Sequence, residues 1–224
     1  MGYTGYCFVL FTGMALTVLV INLFVRSLRA RRHVAGAFSR AFLRAAGIPF
    51  AVKGLERLPQ TPCVVVANHA SYIDGLVAAA ALPPDFAFVI KKEMVRVPLA
   101  SLLLRRLGSQ FVERFNQHKG GVDARRVLKL AATGQSLVFF PEGTFNEVRQ
   151  VGRFLGGAFT TATRSQMPVV AMAIHGTRAV LPPSGLTVHR LPIRVEILEV
   201  LPPVEARQRA RELIAVALGE PLAP

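Results

Sequence analysis

Cysteine and acidic residues are both scarce in this chain. Its two cysteines, Cys7 and Cys63, lie far apart, each inside an apolar run. No disulfide framework follows from that spacing, and a reducing compartment is expected. The five histidines and two cysteines form no metal-ligand pattern, so no metal or other cofactor is expected. Aspartate and glutamate number 13 against 27 lysines and arginines, a net charge of +14. In a chain of low hydrophobicity such a surplus would indicate disorder or a nucleic-acid partner. Here 52% of residues are hydrophobic, above the usual range. Neither a nucleic-acid motif nor interleaved aromatics accompany the charge, so no nucleic acid is expected. Basic and apolar together suit a protein lying on an anionic membrane surface.

The apolar surplus is concentrated at the start. Cys7 to Val25 carries no charge and as a helix would be about 28 Å long, close to the thickness of a bilayer core. Met1 to Tyr6 lacks the basic stretch of a secretory signal, and no small-residue cleavage site precedes the arginines. A membrane anchor is expected, spanning or re-entrant. Arg26, Arg29, Arg31 and Arg32 follow it, which puts this end and everything after it on the cytoplasmic face. Over residues 27–46, Arg29, Arg32, Arg40 and Arg44 fall within one third of a helical wheel at about 100° per residue. Val34, Ala35, Phe38, Ala41, Phe42 and Ala45 fill the opposite side, with Arg31 and Leu43 out of place. A basic amphipathic helix in the membrane interface accounts for the pattern, and an ordinary surface helix packed on the domain is the alternative. Residues 1–46 are thus read as anchor and interfacial helix, and 47–224 as a catalytic domain.

Beyond residue 46, short apolar strands alternate with helices and no repeat or low-complexity segment interrupts them. Strands are expected at 64–66, 86–90, 108–112, 136–140, 168–174 and 192–200. Helices are expected at 75–82, 94–107, 120–133 closed by Gly134, 151–166 and 204–218. In the 94–107 helix, Val95, Leu99, Leu102 and Leu103 form an apolar side, read as core packing. The alternation argues an α/β layered domain with a mixed, partly parallel sheet flanked by helices.

One stretch stands out: Val64-Val65-Val66-Ala67-Asn68-His69-Ala70-Ser71-Tyr72-Ile73-Asp74. Three valines read as a buried strand, and Ser71 with Asp74 matches a capping box ahead of an apolar helix. His69 then sits where a strand ends and a helix begins, a common ligand position in α/β sheets. On one continuous helix, His69 and Asp74 would lie about 140° apart; with His69 in the loop they can meet. A carboxylate on one ring nitrogen fixes the tautomer and makes the other nitrogen a general base. The plainer readings are that Asp74 only caps its helix and that His69 only satisfies a buried backbone group. A serine hydrolase with Ser71 as nucleophile is a further alternative, although no Gly-x-Ser-x-Gly surrounds it.

Asn68-His69-x-Ser71-x-x-Asp74 resembles the His-x4-Asp block of the glycerolipid acyltransferases, whose best-known members act on 1-acylglycerol-3-phosphate. Phe139-Phe140-Pro141-Glu142-Gly143-Thr144 is similar to that family's Phe-Pro-Glu-Gly-Thr-Arg block, about seventy residues further on. Gly108 to Arg114 resembles a block ending Asp-Arg, with Glu113 in place of the Asp, and Met167-Pro168-Val169 a fourth, weaker block. The likeness covers residues 47–183. It implies transfer of a fatty acyl group from acyl-CoA or acyl carrier protein to a lysophospholipid hydroxyl, with His69 as base and Asp74 holding it. It also implies substrate binding by Glu142, Gly143 and Thr144 and phosphate binding by Arg114. Phe145 stands where the family has an arginine, and Arg149 or Arg153, close behind, are expected to help Arg114. Lys91 or Lys92 is a candidate for the oxyanion.

Overall fold

The computed structural model describes residues 2–113, 117–145 and 147–224, with the backbone alone for 117–121. In chain order the elements are α1 (Gly2–Phe24), α2 (Leu28–Ala45), β1 (Phe50–Lys53), β2 (Val64–Ala67), α3 (Asp74–Ala81), β3 (Phe86–Lys91), α4 (Pro98–Arg106) and β4 (Gln110–Val112). There follow α5 (Gln117–Ala132), β5 (Ser136–Phe139), α6 (Gly157–Arg164), β6 (Val169–His175), α7 (Thr177–Val180), β7 (Ile193–Leu201) and α8 (Ala206–Leu218).

The strands form one mixed sheet in the order β1-β7-β6-β2-β5-β3-β4. From β6 to β4 every neighbouring pair is parallel; β7 runs antiparallel to β6 and carries β1 parallel at the edge. The three valines of β2 are fully buried because this central strand is covered on both faces. Val65 and Ala67 point into a core shared with Phe42 and Leu43 of α2 and Val77, Ala78 and Ala81 of α3. Val64 and Val66 point into a second core with Val127 of α5, Phe159 of α6 and Ile214 of α8. The chain leaves β2 toward β3 on one side and leaves β5 toward β6 on the other. The two connections cover opposite faces, α3 on one and α6 on the other, and the carboxyl ends of β2 and β5 between them are a common ligand position in α/β sheets.

Several local expectations are corrected. The helix expected at 94–107 is a 3₁₀ turn, Lys92–Arg96, followed by α4. Pro98 lacks an N–H and keeps Val97 extended, so the helix starts at the proline. The apolar side of α4 is not core: Leu99 and Leu102 are exposed and Ser101 is the buried residue. The helix expected at 151–166 is only α6, because the backbone N–H groups before it are bonded elsewhere. Val151 donates to Pro221 O, Gly152 to Glu142 and Leu155 to Pro141 O. Strand β1 has no counterpart in the sequence reading. Gly134 closes α5 with φ +78°, as expected of a helix-ending glycine.

Helix α1 is long and apolar enough to cross a membrane. It forms an antiparallel pair with α2, tied at one end by Tyr3 and Tyr6 hydroxyls donating to Ala46 O and Ala45 O. On α2, Leu43, one of the two residues out of place on the wheel, is 1% exposed. Arg32 donates to Leu107 O, Arg40 to Ala80 O and Arg31 to Arg106 O, so three of the basic residues are tied to the protein backbone.

Candidate active site

Strand β2 ends at Ala67, and Asn68 continues its pairing with a side chain. The Asn68 amide donates to Ile174 O at 3.0 Å and accepts from Ile174 N at 2.8 Å, fastening the loop to β6. His69 follows on the carboxyl edge of the sheet, its side chain about one-fifth exposed, while Asp74 is fully buried. The His69 Nδ1 to Asp74 Oδ2 distance is 2.8 Å. The same Oδ2 accepts from Ala70 N at 2.6 Å and Ser71 N at 2.8 Å. Three donors on one carboxylate oxygen wrap the 69–74 loop around the carboxylate and fix the imidazole on it. With Nδ1 so committed, Nε2 is the nitrogen left to meet a substrate proton.

Ser71 is not the helix cap that the sequence suggested. The residue at the cap position of α3 is Ile73, without a side-chain cap bond. The Ser71 hydroxyl is buried and donates to Leu181 O at 2.7 Å, while accepting weakly from Ile73 N. A serine so buried and so engaged is unsuited to nucleophilic attack, which removes the hydrolase alternative.

The second block arrives from β5, which pairs with β2 in the register Val66↔Phe139. Residues 140–145 therefore emerge beside His69. Gly143 N donates to Phe140 O, and Gly143 sits at φ +78°, where a side chain would be strained. Glu142 turns back into the protein: Oε1 accepts from His69 N and Oε2 from Gly152 N, both at 2.7 Å. Its carboxylate thereby clamps the histidine loop to the 147–156 loop. Burial pushes the Glu142 carboxyl above the usual range, and the two backbone N–H bonds pull it partly back. Thr144 is exposed.

Aromatic rings enclose the imidazole. Phe140 stacks on His69 with centroids 4.7 Å apart, and Phe145 meets it edge-on at 4.5 Å. Tyr72, largely exposed, packs edge-on against Phe145 at 4.8 Å. The position of the family's arginine is thus a wall of the base itself. Sequence reasoning did not single out Asn68, Phe140, Tyr72 or Gly152 as parts of the site. Asn68, Tyr72 and Phe140 lie within the two quoted stretches, which was the signal available; Gly152 had none.

Of the other expected residues, Arg149 and Arg153 lie exposed on the 147–156 loop, and Arg114 lies outside the described residues. Lys92 is paired with Asp123 at 3.8 Å, and Lys91 is exposed. The 147–156 loop is braced from behind by α8: Arg207 donates to Phe154 O, and Arg211 to Gly152 O and Val151 O. Among the described residues no cluster of histidine, cysteine or carboxylate side chains suits a metal ion.

A model of the Acyltransferase family matches residues 49–175, which include the 68–74, 140–145 and 151–153 segments but neither Leu181 nor the α8 brace. The chain belongs to the acyltransferase family. Among relatives, the chloroplastic 1-acyl-sn-glycerol-3-phosphate acyltransferase BAT2 of Brassica napus is 30% identical over 80% of this chain and 55% of its own length. Human 1-acyl-sn-glycerol-3-phosphate acyltransferase beta is 26% identical over 88% of this chain and 72% of its own. The chain spans about half the length of several of the curated relatives it matches. The fold is that of the crystal structure of the 1-acyl-sn-glycerophosphate acyltransferase PlsC from Thermotoga maritima, with a TM-score of 0.79 at 22% identity, covering 96% of this chain and 92% of that one.

Proposed function

We propose that this acyltransferase moves a fatty acyl group from a thioester, acyl-CoA or acyl carrier protein, to the free hydroxyl of 1-acylglycerol-3-phosphate, giving phosphatidic acid. The observation that carries the reading is the 2.8 Å His69–Asp74 pair, with Nε2 left at the crevice beside the Glu142 clamp. In the reaction the acceptor hydroxyl gives its proton to His69 Nε2 as its oxygen attacks the thioester carbonyl. The buried Asp74 carboxylate stabilises the imidazolium so formed. Collapse of the tetrahedral intermediate breaks the carbon–sulfur bond, and the imidazolium returns its proton to the departing thiolate. The phenyl walls limit water near the base, which favours transfer to the lipid over hydrolysis.

The acceptor phosphate is assigned to Arg114, helped by Arg149 or Arg153; a guanidinium offers the planar, multi-donor contact that phosphate suits. Phe145 favours a second reading, in which the pocket takes a larger or less anionic lysolipid headgroup. Purified protein, radiolabelled acyl-CoA and a panel of lysolipids separate the two. Phosphatidic acid as main product supports the first, and preference for another headgroup the second. In the first case Arg114→Ala should cost more than about 2 kcal/mol in kcat/KM for the phosphate acceptor and nothing for acceptors without a phosphate. An equal loss for both kinds would make Arg114 structural and withdraw the phosphate assignment.

Helix α1 is read as the membrane anchor, packed lengthwise on α2 rather than projecting, and the catalytic domain as facing the cytoplasm. The apolar length of α1 and the arginines after it support this reading.

A further inference from the structure

Helix α4 is inside out for a helix on a soluble domain. Its sequence, PLASLLLRR, is apolar, yet Leu99 is 59% and Leu102 41% exposed, as is Val97 just before it at 49%. Its one buried residue is a serine, whose hydroxyl bonds within the first turn to Pro98 O. Leu99, Leu102 and Arg106 are spaced i, i+3, i+7 and so share one stripe. That stripe leads to α1: the Arg106 guanidinium donates to Asn22 O at 2.6 Å and Leu23 O at 2.8 Å. At this end α1 exposes Val20 at 54%, Leu23 at 48% and Phe24 at 81%, and Leu28 follows. The apolar surfaces of α1 and α4 therefore run into one another. Between residues 91 and 106, Lys91, Arg96 and Arg105 are exposed, against the single acid Glu93.

An apolar patch with a basic rim, continuous with a helix read as membrane-bound, matches one occupant. We infer that α4 is a second membrane-contacting element, inserting Val97, Leu99 and Leu102 into the anionic lipid leaflet that receives α1. The apolar side chains enter the acyl boundary while the arginines stay at the level of the phosphates. Arg106 locks the two helices together, so both approach the bilayer as one surface. This inference rests on the reading of α1 as the membrane anchor.

The chain contains no tryptophan, so a single introduced indole reports its own position. Three full-length variants test the inference in phosphatidylglycerol and phosphatidylcholine vesicles: Leu102→Trp on α4, Val20→Trp on α1 and Val216→Trp on α8. Val216 is 81% exposed on the opposite face of the sheet. With brominated acyl chains, the indoles at 20 and 102 should shift to the blue and lose at least about half of their emission, as residues at the acyl boundary would. The indole at 216 should do neither. Quenching at 20 alone overturns the role of α4 and leaves the anchor standing. Absence of quenching at both 20 and 102 overturns both readings, and equal quenching at all three sites overturns a face-specific contact.

Discussion

At the scale of single residues, Glu142 separates a positioning role from substrate contact. Both of its oxygens are spent on backbone N–H groups, His69 N and Gly152 N. Glutamine in its place keeps one acceptor and turns an amide donor toward the other N–H, leaving that buried group unpaired at a cost of about 1–3 kcal/mol. Glu142→Gln should therefore lower both kcat and thermal stability, and its KM for the acceptor should change little. A rise in KM alone would instead support the substrate-binding role that the family resemblance implies. The pH dependence has a defined sign. Because burial raises this carboxyl above its ordinary 4.5, the folded protein holds the proton more tightly than the unfolded chain. Its contribution to stability is then fullest below 4.5 and declines as pH rises through the raised value. Melting of wild type and variant across that window should show the wild type gaining on the variant as pH falls. Cys63 gives a second check. It is 1% exposed, and burial pushes its thiol up to about 11. At pH 8 about one thiol in a thousand is then thiolate. Iodoacetamide, with the label located by mass spectrometry, should spare Cys63 in folded protein and modify it after unfolding; rapid native labelling would contradict the buried placement.

At the scale of elements, the site depends on how closely α2 lies on α3, the helix that begins with Asp74. Gly36 is the reason: a Cβ there would meet Ala79 O at 2.8 Å, and backbone cannot yield as a side-chain tip can. Gly36→Val should force the helices apart and cost about 1–3 kcal/mol, read as a lower melting temperature with a parallel loss of turnover. Unchanged stability would mean that the approach is looser than described. The same scale shows what the sequence could and could not reveal. The β2 valines and the His69–Asp74 pairing were legible because each is set by residues a few positions apart. The capping role of Ser71 was misread because its hydroxyl partner, Leu181 O, lies 110 residues away. The leucines of α4 were misread because periodicity shows that an apolar side exists but not what covers it.

At the scale of the whole molecule, the α/β class and mixed sheet followed from strands and helices in alternation. The strand order did not, since pairing β2 with both β5 and β6 is a long-range choice that no local pattern encodes. That choice brings together residues 68–74, 140–145 and 151–153, with α8 bracing the last of these from outside the matched family region. This junction is what would make His69 the proposed base for acyl transfer to a lysolipid hydroxyl. The most direct test compares wild type and His69→Ala, both folded by circular dichroism, for radiolabelled phosphatidic acid formed from acyl-CoA and 1-acylglycerol-3-phosphate. The expected loss is at least about a hundredfold in kcat, the low end for a removed general base. Near-wild-type turnover by folded His69→Ala protein would contradict that role.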